Sequence, residues 1–134
     1  MTRSIVTELA AAVDNEAPRE QRARTAATMI RDAGGYRCVG IYDVGDELLM
    51  LIGSAGTADA TEQRLSVTGG PSGEAVSTRD TVVADAEAVV PILGAESGVV
   101  IGTLDVRGER LRALAPEEVG FLEDCAAVLR PLYD

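Results

Sequence analysis

Apolar residues at Ile5, Val6, Leu9, Ala12 and Val13 recur three and four apart, with Glu8 and Asp14 off the stripe, which predicts a helix over 4–13. Asn15-Glu16-Ala17-Pro18 marks a break and restart, since Asn is a good helix cap and Pro is tolerated in a first turn. A second helix then runs to Ala33 on the stripe Ala26, Met29, Ile30 and Ala33. Its outer face of Arg19, Glu20, Arg22, Arg24 and Arg31 reads as solvated, and Gly34-Gly35 ends it. Beyond the glycines the period shortens to that of strands. Tyr36–Val44 reads as an interior strand, turned by Gly45-Asp46 into an antiparallel hairpin with Glu47–Ile52.

The middle of the chain is less regular. Small and polar residues fill Gly53–Ala60, a short strand is predicted over Gln63–Val67, and Ser72 is placed to cap a short helix reaching Ser77. Thr81–Ala84 and Ala88–Leu93 read as short strands, the second irregular at Pro91, which has no N–H for a ladder. Val99–Val106 reads as a long buried strand. Pro116-Glu117-Glu118 opens a last helix, with Pro in the first turn and acid at the positive end of the dipole. Two helices, a meander and a closing helix fit an α+β layer architecture. The helices share one face of an antiparallel sheet, and the irregular segment covers the other over a pocket. The 134 residues read as one domain over 1–134, with helices over 4–33, sheet and pocket over 36–107 and the C-terminal helix over 116–130.

Composition narrows the chemistry. With 12 basic against 22 acidic residues the net charge is −10, which repels nucleic acid and anionic membranes. The chain has no His, Lys or Trp, and all its cations are Arg. Lysine Schiff bases, Ser-His pairs, imidazole ligation of haem and the usual zinc sets are therefore absent, and no metal or cofactor is expected. No signal peptide or membrane span is recognisable, so a cytoplasmic protein is expected. Cys38 and Cys125, in apolar surroundings, read as buried, inert thiols.

In order along the chain stand the hairpin Val39-Gly40-Ile41-Tyr42 to Leu49-Met50-Leu51, the turn Gly70-Pro71-Ser72-Gly73-Glu74-Ala75, the strand Val89-Val90-Pro91-Ile92, and Ile101-Gly102-Thr103-Leu104-Asp105-Val106 before the last helix. From about Thr25 to Leu132 this series resembles the GAF domain family of small-molecule sensor modules. The resemblance implies a GAF-like antiparallel sheet of five to six strands with N- and C-terminal helices on one face. A PAS domain would place several helices between its second and third strands, where only one short helix fits here, and a roadblock-type dimerising domain suits the last strands less well.

Within the family, the second half resembles the free methionine-(R)-sulfoxide reductases, whose pattern has acids matching Glu87 and Asp105. Those carboxylates can hold the ammonium of a free amino acid; the plainer reading puts Glu87 in a solvated turn and Asp105 at a turn cap. Ser72 stands where the reductases have a cysteine, Arg107 stands where a second acid is expected, and a serine cannot run the thiol cycle. Gly69–Gly73, with Gly70 and Ser72, can offer N–H groups to an anion or can be a plain loop with a capped helix. Tyr42 and Thr103, on neighbouring strands, offer hydroxyls if they face the pocket; Tyr42 suits the core equally well.

The candidate ligand-binding set is thus Tyr42, Gly70, Ser72, Glu87, Thr103 and Asp105, with no catalytic residue. The leading expectation is a stand-alone, non-catalytic sensor binding a small organic ligand between the sheet and the segment from Ala55 to Val76. The alternatives are a homodimerising interaction module pairing through its terminal helices, and an atypical reductase in which Cys38 or Cys125 reaches the ligand.

Overall fold

A computed structural model describes residues 2–56, 64–84, 86–108 and 114–134. The sequence-predicted cover over Ala55–Val76 therefore lies partly outside the described residues, at 57–63. Helix α1 spans Thr2–Val13 and α2 spans Arg19–Gly34. The hairpin strands are β1, Cys38–Val44, and β2, Leu48–Gly56, followed by β3, Arg64–Ser66, and helix α3, Gly70–Thr78. Strands β4, Val82–Ala84, β5, Glu87–Leu93, and β6, Val100–Arg107, lead to α4, Pro116–Val128, and a closing 3-10 turn over Arg130–Tyr133.

The six strands form one antiparallel sheet in the order β3-β2-β1-β6-β5-β4. Helices α1, α2 and α4 pack together, α2 on β1 and β2 and α4 on β5 and β6, while α3 packs on β3 to β6. Strand alternation separates the two faces. Val39 and Ile41 of β1, Val90 and Ile92 of β5, and Leu104 and Val106 of β6 join the helix-side core with Leu9, Val13, Ile30, Leu122 and Leu129. Each fully buried aliphatic side chain contributes about 1.5–3 kcal/mol relative to exposure. Gly53 permits the close approach of α2: a Cβ there would stand 2.7–2.9 Å from atoms of Ala23 and Arg24.

Several local expectations are corrected. Asn15 does not start α2, whose cap is Pro18. It closes α1, with Nδ2 donating to Ala12 O at 2.9 Å and Ala11 O at 3.3 Å. The arginine face of α2 is partly structural. Arg22 donates to Val13 O at 2.7 Å, a carbonyl that the end of α1 leaves open, and to Ala17 O at 2.8 Å in the link between the helices. Arg19 pairs with Asp43 and lies over the Tyr133 ring. Tyr36 precedes β1 and is buried in the helix-side core.

Pro91 keeps register, opposite Thr103, and the shift comes one step later, between Ile92 and Leu93. The reason is local: β4 pairs only as far as Val89, so at Pro91 no strand on that side asks for an N–H. Pro116, Glu117 and Glu118 open α4 as predicted, with Glu118 accepting the Ala115 N–H at 3.1 Å.

Candidate functional site

On the sheet face opposite the large helices, β1 presents Cys38, Gly40 and Tyr42, β6 presents Asp105 and Arg107, and β5 contributes Glu87. The register aligns them in rows: Cys38 with Arg107 and Glu87, Gly40 with Asp105, Tyr42 with Thr103. Leu65 and Ser66 of β3 and Gly69, Gly70, Pro71 and Ser72 at the start of α3 complete the wall of a hollow of about 250 Å³. Gly40, opposite Asp105 in the ladder, is part of the floor. Gly73 holds α3 close to the preceding loop, since a Cβ there would meet the Thr68 carbonyl carbon at 2.8 Å.

Asp105 is the electrostatic centre of this hollow. Its Oδ2 accepts the Ser72 hydroxyl at 3.3 Å, while Oδ1 is out of contact with water and has no hydrogen-bond partner in the described structure. Burial foremost, and then the charge of Glu87, raise its pKa from the ordinary 3.8 to about 7, against the opposing pull of the Ser72 hydrogen bond and Arg107. Arg107 stands 3.8 Å from the Glu87 carboxylate, in a loose pair whose arginine side chain is 46% exposed. Desolvation and a second carboxylate thus outweigh one distant cation.

Of the six residues singled out from the sequence, Tyr42, Gly70, Ser72, Glu87 and Asp105 line this one hollow. Thr103 is not among its lining. It is fully buried in register between Tyr42 and Pro91, and its Oγ1 has no hydrogen-bond partner among the described residues. Glu87 opens β5 and Asp105 sits within β6, so neither belongs to a turn. Ser72 is not a cap either: Gly69 holds that position, and the Ser72 hydroxyl is directed to Asp105 instead.

Cys38 is buried, as its sequence setting predicts, and the structure adds which side of the sheet it faces. It is 3% exposed, yet it lies outside the apolar core and lines the hollow. Strand periodicity held the signal, because a pocket-facing Tyr42 puts positions 40 and 38 on the same face. Cys125 does pack in the helix-side core, where burial and Asp124 push its thiol up to about 12. Among the described residues no cluster of three or more His, Cys, Asp or Glu is placed to hold a metal ion, and no helix is long and apolar enough to cross a membrane.

Solved structures share this architecture over nearly the whole chain. Free methionine-R-sulfoxide reductase from Neisseria meningitidis, in complex with its substrate, superposes with a TM-score of 0.84 at 23% identity, covering 98% of this chain and 87% of that one. The GAF domain of an Acinetobacter phosphoenolpyruvate-protein phosphotransferase gives 0.83 at 14% identity over 97% and 90% of the two chains. The chain has the GAF fold. The substrate complex of the free methionine-R-sulfoxide reductase of Staphylococcus aureus gives 0.81 at 19% identity over 99% and 95%. No family model matches the chain, and no curated protein does. A reductase and a domain of a phosphotransferase share the GAF fold, so the fold alone assigns no chemistry.

Proposed function

We propose that this GAF-fold chain is a binding module that takes a small ligand bearing a protonated amine against Asp105 and Glu87 and releases it unchanged. The observation that carries this reading is the unpartnered Asp105 Oδ1 at the hollow. A buried polar atom left without a partner costs about 1–3 kcal/mol, and an ammonium donor removes that cost while offsetting the carboxylate charge. The volume, about 250 Å³, suits a molecule of amino-acid size.

Thermal-shift titration with free amino acids and small amines tests the reading. A ligand should raise the melting temperature of the unaltered chain and fail to do so for Asp105→Asn. A flat response across amines and amino acids would count against it.

One observation favours a second reading, sulfoxide reduction: the Cys38 thiol lines the hollow. Oxygen transfer would leave a sulfenic acid on Cys38 that another thiol must reduce, and Cys125 packs on the opposite side of the sheet. Consumption of free methionine-(R)-sulfoxide with added thiol, lost in Cys38→Ser, would establish that chemistry in place of simple binding. Pairing of two copies through the terminal helices has its own support, a groove lined by Ile5 of α1, Tyr36 and Phe121 of α4 together with Glu117 and Glu118. Sedimentation analysis that finds only monomer at high concentration would exclude it.

A further inference from the structure

The two thiols of the chain differ in setting. Cys125 is enclosed by aliphatic and aromatic neighbours, whereas Cys38 lies on the floor of the hollow that also holds Glu87, Asp105 and Arg107. Cys38 is opposite Arg107 in the β1–β6 ladder, and Gly40 is opposite Asp105. Cys38 and Asp105 are therefore diagonal neighbours on one sheet face, a relation that sets side-chain origins about 7–8 Å apart. An ammonium hydrogen-bonded to Asp105 and joined through two carbons to a sulfur spans that separation. The unpartnered Asp105 Oδ1 is the independent sign that the hollow receives a donor.

We propose that Cys38 is a thiol-disulfide exchange site, and that the hollow presents to it small disulfides carrying an ammonium group. The proposal rests on the reading of Asp105 and Glu87 as a cation-binding pair and adds a covalent step to it. The deprotonated Cys38 Sγ attacks the nearer sulfur of the bound disulfide. The Sγ–S bond forms as the S–S bond breaks, and the released aminothiolate takes up the proton that Cys38 gave to solvent. Cys38 is oxidised, the disulfide is reduced, and no other oxidant is needed. With Cys125 on the far side of the sheet, no second thiol of the described chain stands ready to resolve the mixed disulfide. The adduct then persists until an outside thiol removes it, which makes the step a reversible mark on the occupied hollow.

The test uses the full chain at about pH 8, where thiol exchange is fast. It is incubated in parallel with cystamine, neutral bis(2-hydroxyethyl) disulfide and anionic dithiodiglycolate, and followed by intact mass spectrometry with peptide mapping. The expected result is one cysteamine on Cys38, formed about tenfold faster than the neutral adduct and reversed by dithiothreitol. Asp105→Asn should reduce that preference to the one a small free thiol shows, and Cys38→Ser should carry no adduct. Modification confined to Cys125, or a preference unchanged by Asp105→Asn, overturns the proposal. Hexane-1,6-diamine, which matches cystamine in length but has no S–S bond, separates the two readings. Stabilisation by the diamine without any cystamine adduct removes the exchange site and leaves amine binding standing; neither stabilisation nor adduct removes both.

Discussion

Replacing Asp105 by Asn keeps an acceptor for the Ser72 hydroxyl and deletes the ionisable group. The displacement of Asp105 from 3.8 to about 7 corresponds to about 4 kcal/mol of penalty on the ionised folded form. Because the folded pKa lies above the unfolded one, the contribution to stability is fully present below about pH 4. It is lost as pH rises through about 7, where the folded chain must release its extra proton. Between about pH 5 and pH 8 the unaltered chain should therefore lose about 2.5 kcal/mol relative to Asp105→Asn, or roughly 8 °C in melting temperature for a chain of this size. Calorimetric melting of both chains across that range isolates the effect of Asp105 together with its coupling to Glu87, since carboxylates remote from Asp105 contribute equally to each. A difference in melting temperature that stays level from pH 5 to pH 8 would mean that Asp105 is solvated, and the argument for a donor-seeking site would fail with it.

The remaining predictions address the site and its supports. Affinity for an amine ligand should rise as pH increases from about 5.5 toward 7, by up to about tenfold per pH step, and level off above, because binding must displace the Asp105 proton; calorimetric titration across pH reads this directly. Arg22→Ala should cost about 1.5–3 kcal/mol by leaving Val13 O and Ala17 O without their guanidinium donor, measured as a lower urea midpoint with an unchanged slope. Gly53→Ala should cost about 1–3 kcal/mol by forcing β2 away from α2, read in the same denaturation experiment. Tyr133→Phe removes the hydrogen bond to Tyr42 O at 2.7 Å and should cost about 1 kcal/mol by thermal melting.

The long periodic elements were legible because a single force sets each of them. The stripe through Leu9 and Val13, the alternation around Val39 and Ile41, and the Pro-Glu-Glu opening of α4 all reflect burial of one face or the peptide dipole, and all appear where the pattern puts them. Contacts between elements were harder to read, because they depend on register. Asn15 satisfies the helix before it and not the one after it, and Arg22 reaches back to that same end. Neither partner is visible in local spacing. Glu87 and Asp105 were legible as carboxylates in a recognisable order, but their placement inside β5 and β6, facing one hollow, needed the strand pairing. The burial of Cys38 was legible from its apolar neighbours, but its place on the hollow needed the strand alternation, which gives Val39 and Cys38 opposite surroundings.

Strands β3 and β4 are only three residues long, and where β4 stops, β5 places Pro91, which has no amide hydrogen to share. On the β4 flank the described sheet therefore offers only a short run of open backbone groups for another chain to extend. Growth of ordered aggregates by strand-to-strand templating is hindered on that flank by geometry alone.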